Sequence, residues 1–546
     1  MAAGVVELTA AQAALHGGLV LALAGLCTLA GAALYERCVK DGAEHTPALR
    51  LGAGFALGHS LLLALWRIGS TLSGEARLSL YASLLLLGLC CLVQRRVLLA
   101  LLKLPALRRG LGSAVLVLII VEVVVAAIWL RLYDGSDHSP LYGASIAGQI
   151  VATGKIPVLG LHYGQSMLSA AVALLARTNA HNLSLHLFLS LSVFMLAVMT
   201  YGALRTYRFG RGMSVLGAFL LMSGNYALTL VHGVSFSTLS PMLICGYTDD
   251  ILAVSTFLLF VLWLDGFFTP GAAVGAQLAV ALVCPAVLAA SWNLTAPQNL
   301  VTGFAILGLL PPTLLIRRSP WLKRSLLLLL VFVVCFVGAS QLGGPYSIKS
   351  RQDPNFHSAA AAHYGFKPEI PFAVARTAIA PLWHIRPPFD GEYPVFKLWQ
   401  LEENFWSGLR LCFYPLAGLV LLGLLLHREG QNAFALPLRR FLIAASITFV
   451  TGFALTFALD IQPFDKWGLN KFLTSSLTLG MLALVAAFRL LLARSGRPGR
   501  RHLAVALAVA LITAPPLLSV GTAVYHSLTA PQHMETMPQR VASLAR

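Results

Sequence analysis

One short polar segment holds the residues of this chain that are best suited to chemistry. Asp134, Asp137 and His138 stand between a long apolar stretch and a short amphipathic one. A carboxylate just outside a helix end can take the proton of an attacking hydroxyl group, and partial desolvation beside a second acid strengthens it as a base. We expect Asp137 to be this base, with Asp134 as the second candidate. The alternative stays open that Asp137 only caps a helix, that Asp134 lies in a turn and that His138 is solvated.

The segment that follows is expected to be a short helix. Ser139 and Pro140 favour a helix start, and Gly154 with Pro157 favours its end. Apolar side chains recur at helical spacing between them, at Tyr142, Ile146, Ala147, Ile150 and Val151. Because this helix is too short to span a bilayer, we expect it to lie in the membrane interface with its apolar face towards lipid.

The composition indicates a membrane protein. The chain has 546 residues, of which 58% are hydrophobic and 11% are charged, and its mean hydropathy is +0.78. A soluble chain of this length could not bury so much apolar surface. The net charge of +18 does not indicate a nucleic-acid partner, because the basic residues collect in alternate loops between apolar stretches.

Two smaller features of the sequence concern its cysteines and its start. Seven of the eight cysteines lie within or beside apolar stretches without metal-ligand spacing, and we interpret them as small buried hydrophobic residues that imply neither a disulfide framework nor a zinc site. The first basic residue is Arg37, so the start lacks the basic region of a cleaved signal peptide. We therefore expect the first helix to be retained.

The apolar stretches and the basic loops together predict the topology. We count about fourteen stretches long enough to cross the hydrocarbon core of a bilayer. Every loop rich in Arg and Lys then falls on one side, the cytoplasmic side, and both termini face outward. This result requires that the apolar residues 165–176 do not cross, so we predict that they form a helix at the outer surface. The predicted fold class is an all-α polytopic membrane protein with amphipathic surface helices in an outward loop.

No linker or short repeat divides the chain, so we treat residues 1–546 as a single transmembrane domain. Residues 1–110 are candidate appended helices, and residues 111–340 are the expected core, with the acidic outward loop at 133–182. Residues 341–408 form a long outward loop, and residues 409–546 form the C-terminal helices.

The order of these features resembles the GT-C superfamily of polyprenyl-phosphate-dependent glycosyltransferases, which includes the protein O-mannosyltransferases and the lipid A aminoarabinose transferases. In that superfamily, acidic residues in an outward loop follow a transmembrane helix. An amphipathic helix, a Gly-x-x-Pro-like exit and a second surface helix come next. The matching stretch here runs from Asp134 and Asp137 through Gly154 and Pro157 to residues 162–165, which lead into the second helix at 166–176. The resemblance covers residues 121–230, and the rest of the chain only by its number of helices.

The resemblance implies that residues 111–340 are a GT-C-like core with Asp137 and Asp134 as catalytic residues. It implies transfer of a sugar from a polyprenyl-phosphate carrier to an acceptor on the outer side of a bacterial cytoplasmic membrane. The outward substrate-binding candidates are His138, His162, Tyr163, Lys349, Arg351 and Lys466. The cations among them suit a departing lipid phosphate, while a surface role for each is the simpler alternative.

The implied partners are a polyprenyl-phosphate-linked sugar donor, membrane lipids and an acceptor that the sequence does not name. Nucleic acid is not among them. No cofactor is certain, no residue is assigned as a metal ligand, and a divalent cation stays open as an addition.

A transporter or flippase of a lipid-linked saccharide or solute is the alternative from another class. Glu122 lies near the middle of an apolar stretch, where a charge is costly. A transporter could use Glu122 as a proton relay, whereas a neutral Glu122 hydrogen-bonded between helices would be structural. Transporters more often carry charges in several spans and broken helices in two halves. This chain instead shows one clear acid within a span and an acid-rich outward loop, which favours the enzyme. A scaffold that keeps the fold without activity is the third alternative.

Overall fold

A computed structural model of the chain describes residues 9–38, 46–102, 139–156, 163–180, 182–218, 319–341, 416–427, 435–459 and 482–492, together with 252, 255–256, 258–259, 284 and 479–480. In this part of the chain all regular structure is helical, without any strand. The helices are α1 (Ala10–Cys38), α2 (Pro47–Ser73), α3 (Ala76–Val93), α4 (Arg95–Leu102), α5 (Ser139–Thr153), α6 (Tyr163–Ala176), α7 (Asn182–Thr206), α8 (211–218), α9 (Ser319–Gln341), α10 (Leu416–His427), α11 (Ala435–Leu459) and α12 (Leu482–Leu492).

Four of the described helices are long and apolar enough to cross a membrane, namely Ala10–Glu36 within α1, then α2 and α3, and Leu183–Thr206 within α7. Large apolar side chains on α3 are exposed, as expected for a helix that faces lipid, at Leu78, Leu85, Leu86, Leu89 and Leu92. The chain is therefore a helical membrane protein. The predicted total of about fourteen spans includes many residues outside the described ranges.

Local sequence explains where α2 begins and ends. Thr46 precedes the helix with extended backbone, and its hydroxyl accepts a hydrogen bond from the Leu49 backbone N–H at 3.4 Å. Pro47 occupies the first turn, where no N–H is needed. Gly74 ends the helix at a φ of 73°, which is left-handed backbone. Because α3 starts at Ala76, the two helices form a tight hairpin.

The packing of α1 against α2 is unusually close because glycines face each other. A Cβ atom at Gly31 on α1 would overlap backbone atoms of Gly54 on α2. Such contacts between small residues are a frequent way for membrane helices to associate. Near the same interface, Arg50 on α2 pairs with Glu36 on α1 at 3.2 Å.

The opposite side of α2 packs antiparallel against α7. A Cβ atom at Gly52 on α2 would overlap Met199 on α7. The Thr46 hydroxyl, just before α2, donates to the Gly202 carbonyl group at 2.9 Å. Since the start of α2 meets the end of α7, the two helices run in opposite directions.

One apolar core joins α1, α2 and α3 to α5, α6 and α7. Its largest fully buried side chains include Trp66 on α2 and Phe188 on α7. Ile150 on α5 and Leu168 on α6 belong to the same core. The leading helices and the helices that follow the acidic segment therefore form one packed unit.

Contacts sort the helix ends into two groups. At one end of the bundle, the α2–α3 turn contacts the residues after α5, and α1 contacts the α6–α7 connection. At the other end, the start of α2 contacts both the end of α1 and the end of α7. These groups agree with the ends that the sequence predicted to be outward and cytoplasmic, respectively.

Helix α6 corrects one expectation and agrees with another. Ile156 before it and Thr178 after it both lie at the end of the bundle that is predicted to face outward, so the chain between them does not cross from one end to the other. The expected position at the outer surface is wrong, however. Residues 164–174 are all buried, and α6 packs against α1, α5 and α7. The reason is that protein, and not lipid or water, covers its apolar surface on every side.

The cysteines also differ in part from the expectation. Cys27 is buried, as predicted. Cys284 and Cys335 have Sγ atoms only 3.0 Å apart, although their spacing along the chain gave no sign of a pair. This contact depends on how distant helices pack, which local spacing does not reveal.

Candidate functional site

Most of the candidate site residues lie outside the described residues. The exception is Tyr163, whose backbone begins α6. The candidates outside the described residues are Asp134, Asp137, His138, His162, Lys349, Arg351 and Lys466. Glu122, on which the transporter alternative depends, also lies outside them. Their placement relative to one another remains a prediction. The structure does describe both helices that follow them, because α5 begins directly after His138 and α6 directly after His162.

The limits of α5 agree with the sequence prediction. The helix runs over 15 residues from Ser139 to Thr153, which is too short to cross a bilayer. Gly154 adopts a left-handed φ of 66°, and its N–H donates to the Ile150 carbonyl group at 3.0 Å. The residues after Asp137 and His138 are therefore held in a defined helix.

The apolar face of α5 is covered by protein. Ile146, Ala147 and Ile150 are 6%, 0% and 0% exposed and belong to the core shared with α6. Gln149 and Thr153 are exposed on another face. The helix is amphipathic, as predicted, but the expectation that its apolar face lies against lipid is wrong. Residues of α6 and of the core occupy the place that lipid would take.

Two hydrogen bonds fix the segment after α5 onto the α2–α3 hairpin, and a third lies within the hairpin itself. The Ala76 N–H donates to the Gly154 carbonyl group at 2.7 Å. The buried Arg67 guanidinium donates from Nη1 to the Ile156 carbonyl group at 3.1 Å. The Trp66 indole N–H donates to the Ala76 carbonyl group at 2.7 Å. Because each bond is shielded from water, the exit of α5 has a fixed position on the bundle.

The connection between α6 and α7 is fixed by a histidine on α1. His16 is fully buried, with Nδ1 3.1 Å from the Ser184 hydroxyl and Nε2 2.7 Å from the Thr178 hydroxyl. A neutral imidazole donates through one nitrogen and accepts through the other, and hydroxyl groups can serve both. His16 therefore holds the far end of α6 in place.

No protein-family model matches the chain, and no curated protein matches it. The site is therefore described from its own geometry. Two short helices, α5 and α6, directly follow the candidate residues His138 and His162 and are held against α1, α2, α3 and α7.

The first turns of α6 carry buried polar side chains next to Tyr163. Gln165, Ser166 and Ser169 are 4%, 0% and 1% exposed. Within the described residues, the Ser166 hydroxyl has no hydrogen-bond partner. Buried polar groups are nearly always hydrogen-bonded in proteins. The Ser166 hydroxyl therefore remains able to form a further hydrogen bond.

Among the described residues, no group of three or more His, Cys, Asp or Glu is placed to hold a metal ion. The acidic segment lies outside the described residues. The divalent cation that the sequence left open stays a prediction.

Sequence reasoning missed the residues that position the site, namely His16, Trp66 and Arg67. A signal for Arg67 was present. Helix α2 continues past Trp66 to Ser73, so Arg67 lies inside a spanning helix, where a cation needs a partner. His16 gave no comparable signal, because its partners are 162 and 168 positions away.

Proposed function

We propose that the protein is a membrane glycosyltransferase of GT-C type. It moves a sugar from a polyprenyl-phosphate carrier to an acceptor on the outer side of a bacterial cytoplasmic membrane. Its fold comprises about fourteen spanning helices, a span count that follows from hydropathy and the positive-inside rule. The acidic segment supplies the base, and cations from the outward loops meet the phosphate.

The observation that carries this proposal is the fixed position of α5. The bonds from Ala76 to Gly154 and from Arg67 to Ile156 hold the exit of the helix that Asp137 and His138 immediately precede. A catalytic group on a rigid support keeps the geometry that group transfer needs. A helix that served only as a membrane surface anchor would need no such bonds.

The proposed step moves one proton and one sugar. The Asp137 carboxylate takes the proton of the acceptor hydroxyl as that oxygen bonds to the anomeric carbon of the sugar. The bond between that carbon and the phosphate oxygen breaks, and its electron pair leaves with the lipid phosphate. Lys349, Arg351 and Lys466 are the proposed cations that stabilise this phosphate.

The first prediction concerns Asp137. Asp137→Asn retains the size of the side chain but loses its proton affinity, so we expect transfer to fall by roughly 10²- to 10⁴-fold while donor binding survives. Asp134→Asn should cost less. The measurement is sugar transfer from a polyprenyl-phosphate donor by purified protein in lipid, with folding checked for each variant.

The matched control for this prediction is Gln149→Glu, which changes the charge of an exposed residue on α5 and should leave transfer unchanged. Full activity of the Asp134→Asn, Asp137→Asn double variant would refute the proposed base. Donor binding measured in parallel separates a failed base from a failed fold.

A second candidate function is transport of a lipid-linked saccharide or solute. One observation favours it. His59, on the spanning helix α2, is fully buried, and its Nδ1–H donates to the Phe55 carbonyl group at 2.8 Å. Within the described residues its Nε2 has no hydrogen-bond partner, and the same is true of the buried hydroxyls of Ser60 and Ser192. Polar groups inside spans often line transport paths.

The two functions are separated by a flux assay. A transporter would move its cargo across proteoliposomes without breaking the bond between sugar and phosphate, and His59→Phe would stop that movement. The transferase would release polyprenyl phosphate, and release would stop in Asp137→Asn.

A further inference from the structure

Two cysteines meet in the fold although 51 positions separate them in the sequence. The Sγ atoms of Cys284 and Cys335 lie 3.0 Å apart. A disulfide bond joins two sulfur atoms at about 2.05 Å, so each atom needs to move by only about 0.5 Å to form one. Rotation of the two side chains about their Cα–Cβ bonds can supply such a movement. The two thiols are therefore close enough to react with each other.

Cys335 belongs to the face of α9 that protein covers. The buried hydrophobic side chains of this helix recur at helical spacing and are Leu328, Phe332, Cys335 and Ala339. The exposed ones lie between them and are Leu326, Leu330, Val333, Val334 and Val337. Cys284 is helical and half-buried. The two cysteines therefore meet at a contact between helices, and not on the face of α9 that is exposed.

The short distance between the sulfur atoms argues against a metal ion shared by the two side chains. Each bond from zinc to a cysteine sulfur is about 2.3 Å long, so two sulfurs on one tetrahedral zinc ion lie about 3.8 Å apart. The Sγ atoms of this pair are closer than that. The choice is therefore between a disulfide bond and two free thiols that share a weak hydrogen bond.

The predicted topology places this pair where disulfide bonds persist. Helix α9 follows Arg317 and Arg318, and these basic residues predict a cytoplasmic start. Cys335 precedes Gln341, the last residue of α9, by six positions, which is about 9 Å along the helix axis. The pair therefore lies near the predicted outer end of α9. In bacteria the compartment outside the cytoplasmic membrane is oxidising.

We propose that Cys284 and Cys335 form a disulfide bond in the mature protein. The oxidant is the disulfide of a thiol–disulfide oxidoreductase on the outer side of the membrane. One cysteine thiolate attacks a sulfur of that disulfide and gives a mixed disulfide. The second thiolate then attacks the sulfur of the first cysteine, and the oxidant leaves as a dithiol. The two electrons and two protons that the cysteines lose are those that the oxidant gains.

The bond has a structural consequence for the predicted outer side. It joins the helical segment that contains Cys284 to α9, whose last residue adjoins the predicted outward loop at 341–408. In the unfolded chain the same bond closes a long loop, which lowers the conformational entropy of that state and stabilises the fold. Because the pair is part-buried, the exchange takes place while the helices insert and before they pack. The bond is independent of the proposed sugar transfer.

The test counts free thiols in the full chain. Cells are quenched in trichloroacetic acid so that thiols cannot exchange, and the protein is denatured in SDS. A polyethylene glycol maleimide then adds one gel shift for each free thiol. The chain has eight cysteines, so we expect six labels on the unreduced chain, two fewer than eight, and eight labels after reduction with dithiothreitol.

Removal of either partner should free the other. Cys284→Ser and Cys335→Ser should each give seven labels without reduction, one more than the wild type although one of the eight cysteines is gone. The matched control is Cys90→Ser, which removes a half-buried cysteine from α3 and should give one label fewer than the wild type. The double variant Cys284→Ser, Cys335→Ser should give the same number of labels with and without reduction.

Two outcomes would overturn the proposal. Labelling of all eight cysteines on the unreduced wild-type chain would show that both thiols are free. A label number that falls by one in unreduced Cys284→Ser, as in the Cys90→Ser control, would assign any disulfide to other cysteines. Because the labels are counted on denatured chains, the wild-type result stands even if a variant folds poorly.

Discussion

At the scale of single residues, Arg67 has the clearest role that can be tested in the described part of the chain. It is 5% exposed and donates to the Ile156 carbonyl group, just after α5. Arg67→Gln shortens the side chain and removes the charge, so we expect a loss of about 2 kcal/mol, as for a hydrogen bond from a charged group. The loss should be local. Amide hydrogen exchange in residues 139–156 should become faster, while exchange in α7 stays the same.

Arg77→Gln is the control for Arg67, because Arg77 is an exposed arginine on the neighbouring helix α3. Its exchange pattern should match that of the wild type. If the two variants behave alike, the bond to Ile156 does not hold α5. Under the proposed function, Arg67→Gln should also lower transfer by changing the position of the acidic segment, with less effect on donor binding.

Single residues also show what the sequence can predict. The start of α5 at Ser139 and its end before Gly154 follow from local rules, because the Ser139–Pro140 pair and a left-handed glycine each act within one turn. The pairing of His16 with Thr178 spans 162 positions, so no local rule contains it. Of the candidate site itself, the sequence supplies the residue types and the helices that follow them, and it does not supply the supporting contacts.

At the scale of helices, the contact between α1 and α2 depends on glycine. Gly31→Ala places a methyl group where the backbone of Gly54 already lies, so the two helices must separate. Overpacking of this kind typically costs about 1–3 kcal/mol. We expect a lower midpoint of thermal unfolding in detergent, followed by tryptophan fluorescence, since Trp66 on α2 is fully buried in the adjoining core.

Gly25→Ala is the control, because Gly25 is on the same helix and no atom lies within 4 Å of its added Cβ. Its unfolding midpoint should be unchanged or higher, since alanine favours helix over glycine. A midpoint lowered equally in both variants would mean that helix flexibility, and not close approach to α2, explains the glycine at 31.

The helices α5 and α6 show why hydropathy alone misplaced two apolar faces. An amphipathic helix buries its apolar face, but the pattern is the same whether lipid or protein covers it. In the structure α6 fills the space beside α5, and α1 and α7 cover α6. Only the three-dimensional arrangement of the leading helices decides this, and those helices are distant in sequence.

At the scale of the whole molecule, the contacts divide the helix ends into two groups that a labelling experiment can separate. The group predicted to face outward includes Glu75 in the α2–α3 turn and Asn179 after α6, both exposed. The group predicted to face the cytoplasm includes the exposed Gly210 after α7. Helices α2 and α7 are each long enough to separate these groups by the thickness of a bilayer.

Cysteines placed at these positions should therefore react from opposite sides. In a background whose reactive native thiols have been replaced, Glu75→Cys and Asn179→Cys should be labelled by a membrane-impermeant maleimide in intact cells. Gly210→Cys should be labelled only after the membrane is opened. The pair Glu75 and Asn179 tests whether α6 crosses the membrane, because a crossing α6 would place these two residues on opposite sides of it. The third position tests the absolute orientation, since labelling of Gly210→Cys alone in intact cells would place the acidic segment in the cytoplasm and exclude transfer on the outer side.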